Sequence, residues 1–306
     1  DAIYVWTDTA LFTQRFVGQP FTFAFAQVGT NCGLVGQNAC VEVDGAAYWM
    51  SENGFFRYAG KLESLPCLVE DFVYDSINLN SGNQMVSAGL NNLFGEVTWY
   101  YPQSTSSVVN RMVTYNYFDS SPQRPVWTVG SLARTMWRDS AVFGKPHALE
   151  YTAGNDSSFD VVGNTEGRTA YYEHETGTDQ NKNGTITAVL ANISSGDYDI
   201  TQRVMRGAGG VADFRGDGEH IMKIRRFVPD FVSQTGTTRV TLELKNYPND
   251  TAASSPLGPF DITSSTTKVD TRARARAISL KIENTAASQS WKLGTFRLDV
   301  QPDGRR

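Results

Sequence analysis

Residues 47–58, Ala47-Tyr48-Trp49-Met50-Ser51-Glu52-Asn53-Gly54-Phe55-Phe56-Arg57-Tyr58, decide the fold class. An aromatic run of strand length enters a short polar turn containing glycine and leaves as a second aromatic run, which is the pattern of a tight antiparallel hairpin. The same texture recurs at 3–8 followed by 11–16, and at 96–102 followed by 112–118; residues 169–174 are a fourth aromatic strand running into a polar turn. Helical periodicity is never sustained beyond about two turns. The chain is expected to be all-β, with one candidate helix at 79–91.

The repeat has a spacing. Trp6 and Trp49 lie 43 residues apart and Trp49 and Trp99 lie 50 apart, while Trp99 and Tyr171 lie 72 apart, a step expected to be stretched by an insertion at 131–164. Steps of roughly 40 to 50 residues are those of propeller blades. Arg57-Tyr58-Ala59-Gly60 and Val126-Trp127-Thr128-Val129-Gly130 look like blade ends of the kelch kind. From about Gly184 the aromatics thin out, and Thr/Val/Ile alternation takes over at 186–189, 239–244, 277–282 and 296–300. Period-2 alternation of that kind marks half-buried antiparallel sheet. The expected architecture is a β-propeller or propeller-like array over 1–178, followed by a β-sandwich-like module over 179–306; an irregular sandwich is the alternative for the first part. Gly207-Ala208-Gly209-Gly210 and residues 249–259 read as loops.

Composition narrows the function. Charged residues are 19% and aromatics 12% of the 306 residues, and the net charge is -5. That balance argues against broad wrapping of nucleic acid, which needs a basic face. The three cysteines, Cys32, Cys40 and Cys67, form no ligand-spaced pair and are expected to be small core residues. No apolar run reaches the length of a membrane helix and no signal peptide opens the chain, so a soluble, unexported protein is expected. The four Asn-x-Ser/Thr sequons, at Asn155, Asn183, Asn192 and Asn249, carry no meaning without export. Because Asp1 leads directly into a strand-like run, the numbered chain is expected to be part of a longer product.

Chemistry-bearing motifs are few. Asp179-Gln180-Asn181-Lys182-Asn183-Gly184 fits the first half of an EF-hand loop, making Asp179, Asn181 and Asn183 calcium candidates; Leu190 stands where the bidentate Glu belongs, and a hairpin turn makes the same string. Glu173-His174-Glu175 would put Glu173 and Glu175 on one side of a strand, a conceivable glycosidase pair. His147 and His220 are isolated and read as surface residues. No nucleophile elbow or phosphate loop is present. No cofactor and no catalytic residue is expected. In Arg272-Ala273-Arg274-Ala275-Arg276 a strand would project Arg272, Arg274 and Arg276 from one face, a row that needs carboxylates or phosphates opposite it. A channel face towards DNA, a dock for an acidic neighbour, and a charged edge strand that blocks aggregation all fit that row.

Several strings together resemble virion proteins of tailed phages: Tyr48-Trp49-Met50, Gly54-Phe55-Phe56-Arg57-Tyr58, Leu65-Pro66-Cys67, Asp71-Phe72-Val73-Tyr74, Trp127-Thr128-Val129-Gly130, Pro229-Asp230-Phe231, Trp291-Lys292-Leu293-Gly294 and Pro302-Asp303-Gly304-Arg305-Arg306. The chain is similar to the tail-nozzle or tail-hub (packaged-DNA-stabilising) family of short-tailed phages. That resemblance implies a non-enzymatic, propeller-bearing subunit of the virion tail, six copies of which ring a DNA channel. It also implies attachment to the portal adaptor, neighbouring tail fibres, contact with genomic DNA in the lumen, and a role in genome retention and ejection. Family members are longer, which implies blades missing before Asp1 or supplied elsewhere. Two rivals remain from other classes, a glycan-degrading tail spike and a receptor-binding fibre.

Overall fold

The computed structural model describes residues 2–79, 85–140, 144–152, 168–182, 184–200, 203–206, 212–215, 220–247, 250 and 256–305. The chain divides into two compact units, 1–176 and 177–306. In chain order, the first carries β1 (Ile3–Trp6), β2 (Ala10–Gly18), β3 (Thr22–Thr30), β4 (Cys40–Val43), β5 (Ala46–Ser51), β6 (Gly54–Tyr58), β7 (Leu62–Leu65) and the short helix α1 (Glu70–Tyr74). It continues with β8 (Ser87–Asn91), β9 (Glu96–Tyr101), β10 (Arg111–Ser121), β11 (Arg124–Gly130), β12 (Met136–Arg138), β13 (His147–Thr152) and β14 (Arg168–Glu173). The second unit holds β15 (Asp179–Lys182), β16 (Thr185–Ala188), β17 (Asn192–Ser194), β18 (Arg203–Arg206), β19 (Ala212–Arg215), β20 (His220–Val228) and β21 (Phe231–Thr235). It ends with β22 (Thr238–Lys245), β23 (Pro256–Ile262), β24 (Val269–Ala275), β25 (Ala277–Glu283), β26 (Ser290–Leu293) and β27 (Arg297–Arg305).

The protein is all-β, built from several small antiparallel sheets. In the first unit each sheet is a meander of consecutive strands: β1-β2-β3, β4-β5-β6-β7, β8-β9-β10-β11 and β12-β13-β14. The meanders pack on one another in succession. Trp49 and Ala47 of β5 face the first sheet, where Leu11, Trp6 and Tyr4 meet them. Tyr48 and Met50, pointing the other way, join Phe55 against Val97, Trp99, Tyr101 and Val113 of the third. Both faces of β5 are therefore covered, which is why 46–51 is buried throughout and reads as an unbroken apolar run without polar alternation. On the far side of β9, Tyr100 stacks on Trp137 of β12 at 6.0 Å.

Indole donors tie successive meanders to the chain before them. Trp49 Nε1 donates to the Cys32 carbonyl (2.8 Å), Trp99 Nε1 to that of Ala39 (3.0 Å) and Trp137 Nε1 to that of Leu90 (2.7 Å). A large ring that fills an intersheet layer while capping a stray carbonyl solves two problems at once, since buried backbone oxygens need partners. Trp49 and Trp99 each sit in the second strand of their meander, and this is the physical content of their 50-residue spacing.

In the second unit the sheets β17-β25-β22-β23 and β24-β20-β27 share one core. Met222, Ile224 and Phe227 of β20 and Ala273 and Ala275 of β24 pack with Val240, Leu242, Ile278, Leu280 and Ile282.

Three sequence expectations change. Residues 79–91 are not one helix: Ser87–Asn91 is β8, 80–84 lie outside the described residues, and the helix with full description is α1. The stretch at 131–164 is more than an insertion, because its described part supplies β12 and β13, and 168–173 closes their meander. Within 249–259, Pro256 onward is strand β23, pairing with β22 because Leu257 has a cross-strand partner in Leu242; Gly207-Ala208-Gly209-Gly210 lie outside the described residues. Among the described residues no helix is long and apolar enough to cross a membrane.

Candidate assembly surfaces

Among the described residues the most exposed large apolar side chain, Phe21, lies at the tip of the β2–β3 hairpin. Its base is anchored: Leu11 is fully buried and Thr13 Oγ1 donates to the Ala26 carbonyl at 3.4 Å. Beyond Gln14 the ribbon leaves the body, and Arg15, Phe16 and Val17 together with 19–27 are exposed. Phe16 is opposite Phe23 and Gln14 is opposite Phe25, so Phe16, Phe23 and Phe25 line one face of the ribbon. The Phe16 and Phe23 rings meet edge to face at 5.9 Å, yet Phe16, Phe21, Phe23 and Phe25 remain 71, 79, 47 and 63% exposed. No Asp, Glu, Lys or Arg occurs from 16 to 30. At 150–250 Å² per ring these four leave on the order of 500 Å² of apolar surface in water, at the upper end of what a monomer exposes without using it.

A second surface holds the arginines singled out in the sequence. In β24, Arg272 and Arg274 are exposed and alternate with buried Ala273 and Ala275. Arg276 does not join them, because the strand ends at Ala275; Arg276 occupies the bend before β25, its amide donating to the Lys245 carbonyl at 3.0 Å. The face also carries carboxylates. Arg274 pairs with Asp303 at 2.6 Å, and Arg226 lies 3.5 Å from both Asp270 and Asp299. Lys223 sits directly across from Arg274 on one side and Gln301 on the other. Part of the row's repulsion is thus relieved inside the chain.

A third feature is a cavity of about 210 Å³ lined by Asn91, Glu96, Thr98, Thr114, His174 and Glu175 among others. Glu173 and Glu175 do not act as a same-side pair. The strand stops at Glu173, which reaches Lys145 (3.4 Å), and Glu175 has a left-handed backbone (φ 57°) that breaks the alternation. Glu175 instead accepts from Asn91 Nδ2 at 3.2 Å. Glu96, which nothing local in the sequence marks, is the second carboxylate here, brought in by the β8–β9 turn; burial, then the charge of Glu175, raises its pKa. Beside it His174 accepts from Arg134 Nε at 2.9 Å. Burial first, then the Arg134 and His147 charges, push His174 down to about 4. Arg134 itself is 3% exposed, bonded to Glu150 at 3.2 Å and to the Ala133 carbonyl at 2.7 Å, with its guanidinium over the Tyr172 ring.

His147 is not a lone surface residue, since it stacks on Tyr171 and its Nδ1 is hydrogen-bonded to the Tyr171 hydroxyl; His220 lies in β20. Of the calcium candidates, Asp179 and Asn181 lie on β15, and Asn183 is outside the described residues. The Asp179 carboxylate accepts from the Ser288 amide (2.9 and 2.8 Å) and Asn181 Oδ1 accepts from the Gly184 amide (2.9 Å), which is hairpin and loop capping. Among the described residues no three His, Cys, Asp or Glu side chains gather as a metal site. All three cysteines are free; Cys32 is buried, and burial pushes the Cys40 thiol up to about 12 and the Cys67 thiol to about 11. A scan against protein-family models matches no family, and a search of curated proteins finds no match.

Proposed function

We propose that the chain is a structural subunit of a tailed-phage virion, a component of the tail nozzle or hub that acts through interfaces and catalyses nothing. The Phe-studded β2–β3 arm, free of charge from 16 to 30, carries this reading, because an exposed apolar surface of this size marks an interaction site. The aromatic strings that resemble the nozzle family support it. So does the succession of meanders, which suits a propeller-like array, with the second unit as a β-sandwich-like module. In this reading six copies ring the channel in the virion, the portal adaptor and tail fibres are neighbours, and Arg272 and Arg274 belong to an inter-subunit or DNA-facing surface. The test is immunogold labelling of source virions with antiserum against the chain. Label confined to the tail is expected; unlabelled virions overturn the reading.

One observation favours a second reading, a glycan-degrading tail protein: the cavity that joins Glu96, with its raised pKa, to Glu175. A pair of carboxylates facing one cavity is the minimum for glycoside hydrolysis. Polysaccharide cleavage by the purified chain that Glu96→Gln abolishes would establish it.

A further inference from the structure

We infer that the arm, residues 15–27, docks head to tail on a second copy of this chain, against the apolar patch formed by Leu93, Phe94 and Phe118. The inference rests on the assembly reading above and names the partner of that surface.

The area comes first. A specific interface buries at least about 1,000 Å² in total. Roughly 500 Å² of exposed ring on the arm and roughly 350 Å² on the Leu93, Phe94 and Phe118 patch approach that size, and the backbone and polar side chains of the arm add the remainder. Edge character comes next. β3 is the outer strand of its sheet and lacks the charges and inward-turned lysines by which edge strands normally resist pairing. Such an uncharged edge is open to pairing with another chain, and under the assembly reading the neighbouring chain is a second copy. The absence of charge also disfavours other occupants: an anionic membrane surface selects basic residues, and Arg15 is the arm's one cation.

The receiving surface is on the same unit. Leu93 and Phe118 are 64 and 62% exposed and Phe94 is 46% exposed, clustered where the β8–β9 turn meets β10. Phe118 is held there by Gly95: at φ 68° this position favours glycine, and a Cβ would come within 2.2 Å of the Phe118 ring. The patch is rimmed by acid, with Asp119 exposed on β10 and Asp44 and Asp139 close enough to Tyr117 to raise its pKa behind the larger effect of burial. An apolar arm with one arginine thus matches an apolar patch with a carboxylate rim. Two different complementary surfaces on one unit make a heterologous contact, which builds a ring where the rotation between copies closes.

The experiment is native mass by light scattering across a concentration series, for the full chain, for Phe21→Ser/Phe25→Ser, and for Leu93→Ser/Phe118→Ser. All four side chains are exposed, so circular dichroism and the melting temperature should stay at wild-type values. The wild type is expected to be multimeric and each variant monomeric, whereas an equal mixture of the two variants should form one-to-one complexes, because one contributes an intact arm and the other an intact patch. A monomeric wild type, or an arm variant with wild-type mass, overturns the arm. Monomeric variants that fail to complement overturn the head-to-tail docking. Loss of the arm result alongside labelled tails would leave the virion reading standing, and arm-dependent assembly with unlabelled virions would do the reverse.

Discussion

Acid should destabilise the first unit through one histidine. His174 is held near pKa 4 against an ordinary value of 6.5, first by burial and then by Arg134, whose Nε donates to it. Between those values the unfolded chain takes up a proton that the folded chain refuses, so stability falls with falling pH in this window and levels off below about 4. The full shift of 2.5 would correspond to about 3.4 kcal/mol. His174 is partly open to solvent, and screening cuts this by about half, leaving a loss of about 1–1.5 kcal/mol between pH 7 and pH 4.5. The comparison to make is His174→Gln, which keeps an acceptor for Arg134 and removes the titration. Urea unfolding should be followed by tryptophan fluorescence, because Trp6, Trp49, Trp99, Trp127 and Trp137 lie in the first unit and Trp291 alone lies in the second. Wild type should lose about 1–1.5 kcal/mol more than the variant on acidification. Equal losses would refute the argument that burial, together with the Arg134 contact, keeps His174 neutral.

Other perturbations probe packing and charge. Gly33→Ala should cost about 3 kcal/mol or more and reduce soluble yield, because its Cβ would lie 2.0 Å from the Asp8 carbonyl oxygen and 2.2 Å from its carbon, where only backbone could yield; a melting curve decides it. Trp99→Phe should lower stability by about 1–3 kcal/mol, since it strips the Ala39 carbonyl of its indole donor inside a dry layer; urea titration is the check. Arg274→Ser should change stability by less than about 1 kcal/mol despite its 2.6 Å pair with Asp303, because both partners are open to water. Any loss of assembly in that variant would therefore report an interface, and native mass would reveal it.

Hairpins were legible because their determinants are local. At 47–58 an aromatic run, a glycine turn and a second aromatic run became β5 and β6 in the register Met50 opposite Phe55 and Trp49 opposite Phe56. The Trp49-to-Trp99 spacing likewise announced two equivalent strands. Misreadings arose where a distant element decides. The candidate helix at 79–91 gives way to strand where β9 pairs with Ser87–Asn91, and the loop expected at 249–259 becomes strand from Pro256 because β22 offers it a partner.

The candidate site divides the same way. Composition alone shows that 16–30 carries no charge, but whether its phenylalanines fill a core or stand in water depends on whether another sheet covers the ribbon beyond Gln14, and none does among the described residues. Alternation alone placed Arg272 and Arg274 on one face, while the bend at Arg276 is set by the passage from β24 to β25. Glu96 and Glu175, 79 positions apart, share a cavity because β8, β9 and β14 converge there. Strand type and turn position are properties of a few neighbouring residues and their backbone preferences. Which faces are covered, and which charges meet, follow from contacts between segments that the chain order leaves far apart.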